Sequence, residues 1–250
     1  MIILIIFLGL IVGSFLNAAI HRLHSGQSIL ADRSRCVHCD HELSAVDLVP
    51  IFSFILLRGR CRYCHKPISW QYPLVELATA VIFVLFALNN GLRITDYGLW
   101  FGFVFSGILI IIGVFDFKHF LILDKIVYPA LALALVRSLF LQTLPDALFG
   151  AAITAGFFAL QYYVSKGRWI GFGDVKLGLF LGALLGVKLA VAMLMLAYLL
   201  GALVGLGLIA SGRKQLSSKL PFGSFLAVSA IIIMLYGEGI VGWYFRLLGL

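Results

Sequence analysis

Apolar runs long enough to cross a bilayer recur along this chain, each closed by a polar or basic stretch. A spanning helix needs about 20 predominantly apolar residues. On that criterion the expected spans are approximately 2–20, 73–89, 97–115, 126–141, 146–164, 175–187, 188–211 and 222–246. The stretch 175–187 is short, which suits a tilted span, a broken helix or part of a re-entrant element. Apolar and polar residues do not alternate, so a spanning β-barrel is excluded. The expected fold class is an all-α polytopic membrane protein of about eight transmembrane helices.

Composition agrees: 62% of the 250 residues are hydrophobic and 12% are charged, about half the charged fraction of a soluble domain. The net charge of +8 would raise nucleic-acid binding in a soluble protein, but no basic-aromatic module is present. The basic residues lie between the apolar runs, where they orient a membrane protein. Met1 opens directly into the run Ile2 to Ala19, and His21, Arg22 and His24 follow it. That order is the reverse of a cleavable signal peptide, so the first helix is expected to be retained with its N-terminus outside. The inner segments then carry Arg22, Arg33, Arg35, Arg58, Arg60, Arg62, Lys66, Lys118, Lys125, Lys166, Arg168, Lys176, Arg213, Lys214 and Lys219. The outer segments carry only Arg93, Arg137, Lys188 and Arg246. This asymmetry fixes the expected orientation.

One sizeable polar piece interrupts the pattern, from about His21 to Gln71, on the cytoplasmic side by the same argument. It holds Cys36-Val37-His38-Cys39 and, 21 residues on, Cys61-Arg62-Tyr63-Cys64. Two Cys-x-x-Cys pairs at that distance match a four-cysteine zinc site. Disulfides are disfavoured in a reducing compartment. Four thiolates leave no open position for water, so the expected role is structural. His38, His41 and His65 are then expected to be solvated. No repeat or low-complexity segment is read along the chain, while Gly182-xxx-Gly186 and Gly201-xxx-Gly205 suit close helix packing.

Acidic residues are few enough to take singly. Asp32, Asp40, Glu42 and Asp47 lie in the polar loop; Asp96, Asp146 and Glu238 fall near span ends and are expected to be solvated caps or interface groups. Glu76, Asp116, Asp124 and Asp174 remain. Asp116 ends the third span and Asp174 closes Gly171-Phe172-Gly173-Asp174. Two spans separate them, so both belong near the cytoplasmic face. Carboxylates at such depth are costly and tend to be functional. Two that meet share a proton, one serving as base toward water and the other as acid, as an aspartic dyad requires. Glycines before Asp174 would let the backbone approach a neighbouring helix or an extended substrate. Sequence leaves open whether the two meet or instead pair separately with Lys118 and Lys176.

Taken together, the motifs resemble those of the bacterial type IV prepilin peptidases, membrane aspartic proteases of the Gly-x-Gly-Asp type. The resemblance runs almost end to end. It is carried by Gly13-Ser14-Phe15-Leu16-Asn17 with His21-Arg22, the two cysteine pairs, Tyr72-Pro73-Leu74-Val75-Glu76, Gly171-Phe172-Gly173-Asp174-Val175-Lys176 and Pro221-Phe222-Gly223. It implies catalytic Asp116 and Asp174, with Gly171, Gly173, Lys176, Asp124 and Glu76 in support. It also implies cleavage of prepilin or pseudopilin leaders after glycine, followed by S-adenosylmethionine-dependent N-methylation of the new N-terminus. Gly59 and Arg60 resemble the family's Gly-Lys-Cys element and are the candidates for methyl transfer. No Gly-rich fingerprint of the Rossmann kind is present. One departure is Leu123-Asp124, where the family usually has Pro-Asp. Glu76 could pair with Arg60 or Arg62, or hold the substrate amine.

The expected domains are 1–20, the first transmembrane helix; 21–71, the cytoplasmic zinc-type loop; and 72–250, the helical membrane protease domain. Expected partners are prepilin segments and the bilayer of the inner membrane. Three other readings stand beside this one: a peptidase without methyltransferase activity, a proton-coupled transporter and a non-catalytic assembly factor. Intramembrane carboxylates also serve transporters, but inverted repeats are not visible.

Overall fold

The computed structural model describes residues 1–28, 33–93, 95–212 and 220–247. Asp32, Arg213, Lys214 and Lys219 lie outside the described residues. Eight α-helices follow in order: α1 (Ile2–Ser25), α2 (Phe52–Leu56), α3 (Gln71–Asn89), α4 (Tyr97–His119), α5 (Asp124–Phe140), α6 (Leu144–Ser165), α7 (Phe172–Ala210) and α8 (Phe222–Leu247). Among the described residues there is no named strand. Among the described residues six helices, α1, α3, α4, α6, α7 and α8, are long and apolar enough to cross a membrane. At 17 residues, α5 stands at the lower end of the spanning range.

The 39 residues of α7 are two helices. Gly186, at φ 72 and ψ 177, interrupts them, giving α7a (172–185) and α7b (187–210). The neighbours along α6 show which way each half runs. A Cβ on Gly182 would collide with the Gly150 carbonyl, and Gly178 meets Phe158 and Thr154, so α7a is antiparallel to α6. Val187 then meets Asp146, and Tyr198 meets Gln161, so α7b is parallel to α6. The chain therefore reverses at Gly186, and the expected short span ends in a break. Counting α5 and the two halves of α7 separately, the described residues hold eight long helical segments.

The polar groups freed by the break have partners. Asp146 Oδ1 accepts the Val187 N–H at 3.1 Å, capping α7b. Arg137 donates to the Leu184 carbonyl at 3.3 Å, at the end of α7a. A Cβ on Gly186 would collide with Asp146 Oδ2, so space and φ both demand glycine there. Asp146 is a cap, as expected, but of α7b as well as near its own helix start. Gly186 makes the turn and, with Gly182, also lies close against Gly150 of α6, as the Gly-xxx-Gly spacing suggests. Gly201 and Gly205 do lie beside side chains of the next segment, Phe225 and Leu220.

The chain divides into two compact units, 1–111 and 112–250. In the first, α1 and α3 approach closely through Gly9 and Gly13. Added Cβ atoms there would stand 2.5 Å from Ala80 Cα and 2.6 Å from Glu76 Cα. The ring of Phe103 on α4 stacks on Phe83 of α3 at 4.1 Å. In the second unit α8 runs antiparallel to α7b. Phe222 meets Tyr198 at 4.9 Å between ring centroids, and Lys188 pairs with Glu238 at the other end, at 2.8 Å.

Candidate active site and metal centre

Between α1 and α3 the two cysteine pairs fold into matching knuckles. Cys36 N–H donates to His41 and Asp40 N–H returns to Cys36; Cys61 N–H donates to Lys66 and His65 N–H returns to Cys61. Asp40 and His65 take the same left-handed conformation, φ 57 and 58. Backbone bridges Arg35 to Glu42 and Arg60 to Pro67 close each unit. Residues 35–42 and 60–67 are therefore a local structural duplicate, which the shared Arg-Cys-x-x-Cys signals in the sequence.

The duplication brings four sulfurs together. All four cysteines are free thiols, and their Sγ atoms lie within 4.8 Å of one another, with Cys36 and Cys64 at 3.9 Å. A tetrahedral ion with sulfur bonds of about 2.3 Å needs sulfurs about 3.8 Å apart. The set fits one such metal ion, and its donors are all thiol. Burial works against ionising Cys36, but the amide N–H groups of His38 and Cys39 prevail and lower it to about 7. The His41 amide favours the thiolate of Cys39, yet burial and the neighbouring Cys36 and Cys64 push it up to about 11.

Asp47 fastens the second knuckle. It accepts from Ser44 N and Oγ at 3.1 and 2.7 Å, from Arg62 Nε at 2.7 Å and from Tyr63 Oη at 3.2 Å. Arg62 is thereby paired with Asp47 rather than Glu76. Glu76 is buried and its Oε2 accepts the Ile51 N–H at 2.7 Å. Ile51 has φ 61 and ψ −50, a costly conformation for a β-branched residue. Glu76 therefore anchors a strained turn of the loop to α3. Gly59, φ 68, donates to Phe54 and accepts from Ile68, so its backbone groups are both engaged.

In the second unit Asp116 and Asp174 are buried, and one side chain, Ile122, lies against both Gly173, next to Asp174, and Gly223, which packs on Asp116. Each carboxyl meets the N-terminal backbone of a helix, its own for Asp174 and that of α8 for Asp116, where the backbone dipoles favour negative charge. Asp174 is the third residue of α7, and its Oδ2 accepts the Gly171 N–H at 3.0 Å. Asp116, at the end of α4, is capped instead from α8: Ser224 N–H donates to its Oδ2 at 2.8 Å. The Ser224 hydroxyl lies 3.2 Å from the same oxygen and bonds the Gly113 carbonyl at 2.8 Å. Ile122 fills the gap between Gly173 and Gly223: an added Cβ on either would stand 3.0–3.2 Å from it, and on Gly223 also 3.0 Å from Asp116 Oδ2. The glycine preceding Asp174 thus admits a neighbouring side chain.

Lys176 Nζ reaches both oxygens of Asp124, at 2.7 and 2.8 Å, tying α7a to the first residue of α5, and stands 5.4 Å from the Phe172 ring centroid. Leu123, in the place where a proline is expected, holds φ −83 and ψ 120. That φ is near the value a proline imposes, so the backbone here would admit a proline. Sequence reading did not single out Ser224, Gln161 or Tyr198. The only signal for Ser224 is its position directly after Pro221-Phe222-Gly223.

Comparison with known proteins assigns the family. Residues 7–90 match the Bacterial Peptidase A24 N-terminal domain, and residues 103–206 match the Type IV leader peptidase family. The prepilin leader peptidase/N-methyltransferase of Bacillus subtilis is 36% identical over 242 residues, covering 96% of each chain. That of Aeromonas hydrophila is 33% identical over 273 residues, covering 96% of this chain and 92% of its own. That of Pseudomonas aeruginosa is 30% identical over 283 residues, covering 98% and 93%. No solved structure matches. The chain is a multi-pass membrane protein that belongs to the type IV leader peptidase family.

Proposed function

We propose that the protein is a membrane aspartic endopeptidase that removes the leaders of prepilins or pseudopilins after glycine and then N-methylates the new N-terminus. The observation that carries the reading is the pair of buried carboxylates, Asp116 and Asp174, each held by the N-terminal backbone of a helix, with Ile122 against the glycine beside each. Two such carboxyls share one proton. The ionised member takes a proton from water as that water attacks the scissile carbonyl, and the protonated member donates to the carbonyl oxygen. Ser224 and Gly171 hold the two carboxyls in place by their N–H groups. Lys176 and Asp124 fix the start of α7a against α5, and Gly173 leaves room for Ile122.

In this reading 1–20 is a membrane helix, 21–71 a cytoplasmic loop domain and 72–250 the membrane protease domain. The N-terminus is outside, and the carboxylates lie toward the cytoplasmic side, where basic leaders are held. Cys36, Cys39, Cys61 and Cys64 hold a structural zinc ion, which supplies the cross-link that a small loop lacks. S-adenosylmethionine supplies the methyl group when bound. Gly59 contributes a turn that only glycine forms without strain, and the exposed Arg60 offers its guanidinium to the carboxylate of that donor.

The test is cleavage of a peptide bearing a basic leader, a Gly-Phe junction and an apolar segment, with product mass read with and without S-adenosylmethionine. The expected result is cleavage after glycine, with a methyl mass gained only when the donor is present. Intact peptide with folded, metal-loaded protein across several pilin-like substrates would contradict the reading.

A further inference from the structure

Tyr198 and Gln161 form a polar pair beside the carboxylates for which the reaction above has no use. Tyr198 lies 24 residues beyond Asp174, about 36 Å along an unbroken helix. The reversal at Gly186 undoes that distance: Asp174 stands 12 residues before the break and Tyr198 12 after it. The two ends stand beside the same turn of α6: Phe172 meets Tyr162 and Tyr198 meets Gln161. The Tyr198 ring also packs on Phe222, at 4.9 Å, directly before the Gly223-Ser224 segment that holds Asp116.

The chemistry of the pair is unbalanced. Tyr198 Oη donates to Gln161 Oε1 at 2.9 Å. Gln161 Nε2 is buried and has no hydrogen-bond partner among the described residues. One tyrosine hydroxyl and one amide bring three donor hydrogens, and their mutual bond uses one. Tyr198 itself remains 38% exposed. Polar side chains within a membrane helix are costly and tend to serve function. An internally satisfied pair would leave no buried donor over.

We propose that Tyr198, with Gln161 behind it, is a substrate-binding subsite that takes a main-chain carbonyl of the peptide lying along the two carboxylates. A carbonyl arriving at Tyr198 accepts a hydrogen bond from the hydroxyl. The Gln161 amide then turns and donates an Nε2–H to Tyr198 Oη, so the buried nitrogen gains its partner only when peptide is bound. The rings of Phe157 and Phe222, 5.8 and 4.9 Å from that of Tyr198, line this position with apolar surface. The bond forms equally in ground and transition states, so its loss raises KM rather than lowering kcat.

This inference rests on the peptidase reading, and the test separates the two. Tyr198→Phe and Gln161→Leu are compared with wild type and Asp174→Asn in the peptide cleavage assay, with melting temperature and methyl transfer to a pre-cleaved peptide as controls. Tyr198→Phe is expected to raise KM about tenfold with kcat changed less than about threefold, the scale of one lost hydrogen bond. Gln161→Leu is expected to raise KM less, because the hydroxyl can still turn to the carbonyl. Wild-type KM in Tyr198→Phe overturns the subsite, as does a loss confined to kcat that follows melting temperature and methyl transfer. If Asp174→Asn still cleaves, the peptidase reading itself falls, whatever the tyrosine does.

Discussion

The cysteine loop and the carboxylate site are built on opposite plans. Each knuckle of the loop closes within eight residues, and its backbone bonds come from immediate neighbours. Joining the two knuckles spans only 28 residues, from Cys36 to Cys64. The carboxylate site draws Asp116 and Ser224 together across 108 residues, and a helix reversal at Gly186 returns Tyr198 to Asp174. A site of the first kind needs little beyond spacing and a cross-link. A site of the second kind exists only when several helices are packed. Damage should therefore stay local in the loop and spread in the helices.

The largest expected effect lies in the loop. Cys61→Ser should reduce bound zinc from about one per chain to near zero, since all four thiolates carry the ion. Hydrogen exchange should then quicken across 33–70 while the helices α5 to α8 keep their protection. Loss of protection throughout the helices would break the comparison.

Gly186→Ala is the matching change in the membrane unit. The new Cβ meets Asp146 and φ 72 is strained for alanine, so destabilisation of about 2 kcal/mol or more is expected. Here the melting temperature in detergent should fall and cleavage should fall with it, although the residue lies far along α7a from Asp174. A normal melt with normal cleavage would show that the break is tolerant.

Asp47→Asn is a smaller, pH-dependent change. Burial alone would raise this carboxyl, but the bonds from Ser44, Arg62 and Tyr63 outweigh it and hold it below the ordinary 3.8. A depressed carboxyl stabilises above its unfolded value and loses that contribution as pH falls through the folded one. The variant should cost roughly 1–2 kcal/mol of loop stability near neutrality. In loop hydrogen exchange the gap between variant and wild type should narrow as pH is lowered below 3.8. A gap that stays constant with pH would remove the ionised carboxylate from the account.

Smallest of all is Glu76→Gln. The amide oxygen can still accept from Ile51, so only the charge-assisted part is lost, about 0.5 kcal/mol. Slightly faster exchange at Ile51 and Phe52 with full zinc content is the expected outcome. Loss of zinc would mean that Glu76 holds more of the loop than one turn.

How far the sequence spoke follows the same division. Spacing placed the four cysteines together, because a two-residue gap constrains both thiols of a knuckle by itself. Apolar run length placed the spans, including a boundary within two residues of Gly186. The partners across helices were another matter. Nothing local says that Asp146 caps a residue 41 positions away, that Ser224 holds Asp116, or that Glu76 takes a backbone N–H rather than an arginine. These pairings depend on which faces pack, and in uniformly apolar helices the pattern hardly distinguishes one face from another.

The most direct measurement is cleavage of the leader peptide by Asp116→Asn and Asp174→Asn, with zinc content and methyl transfer to a pre-cleaved peptide read on the same preparations. The account predicts that each variant loses cleavage entirely, because one carboxyl cannot serve as both acid and base, while zinc and methyl transfer stay near wild type. Cleavage at near wild-type rate by either variant would contradict the paired carboxylates as the catalytic centre.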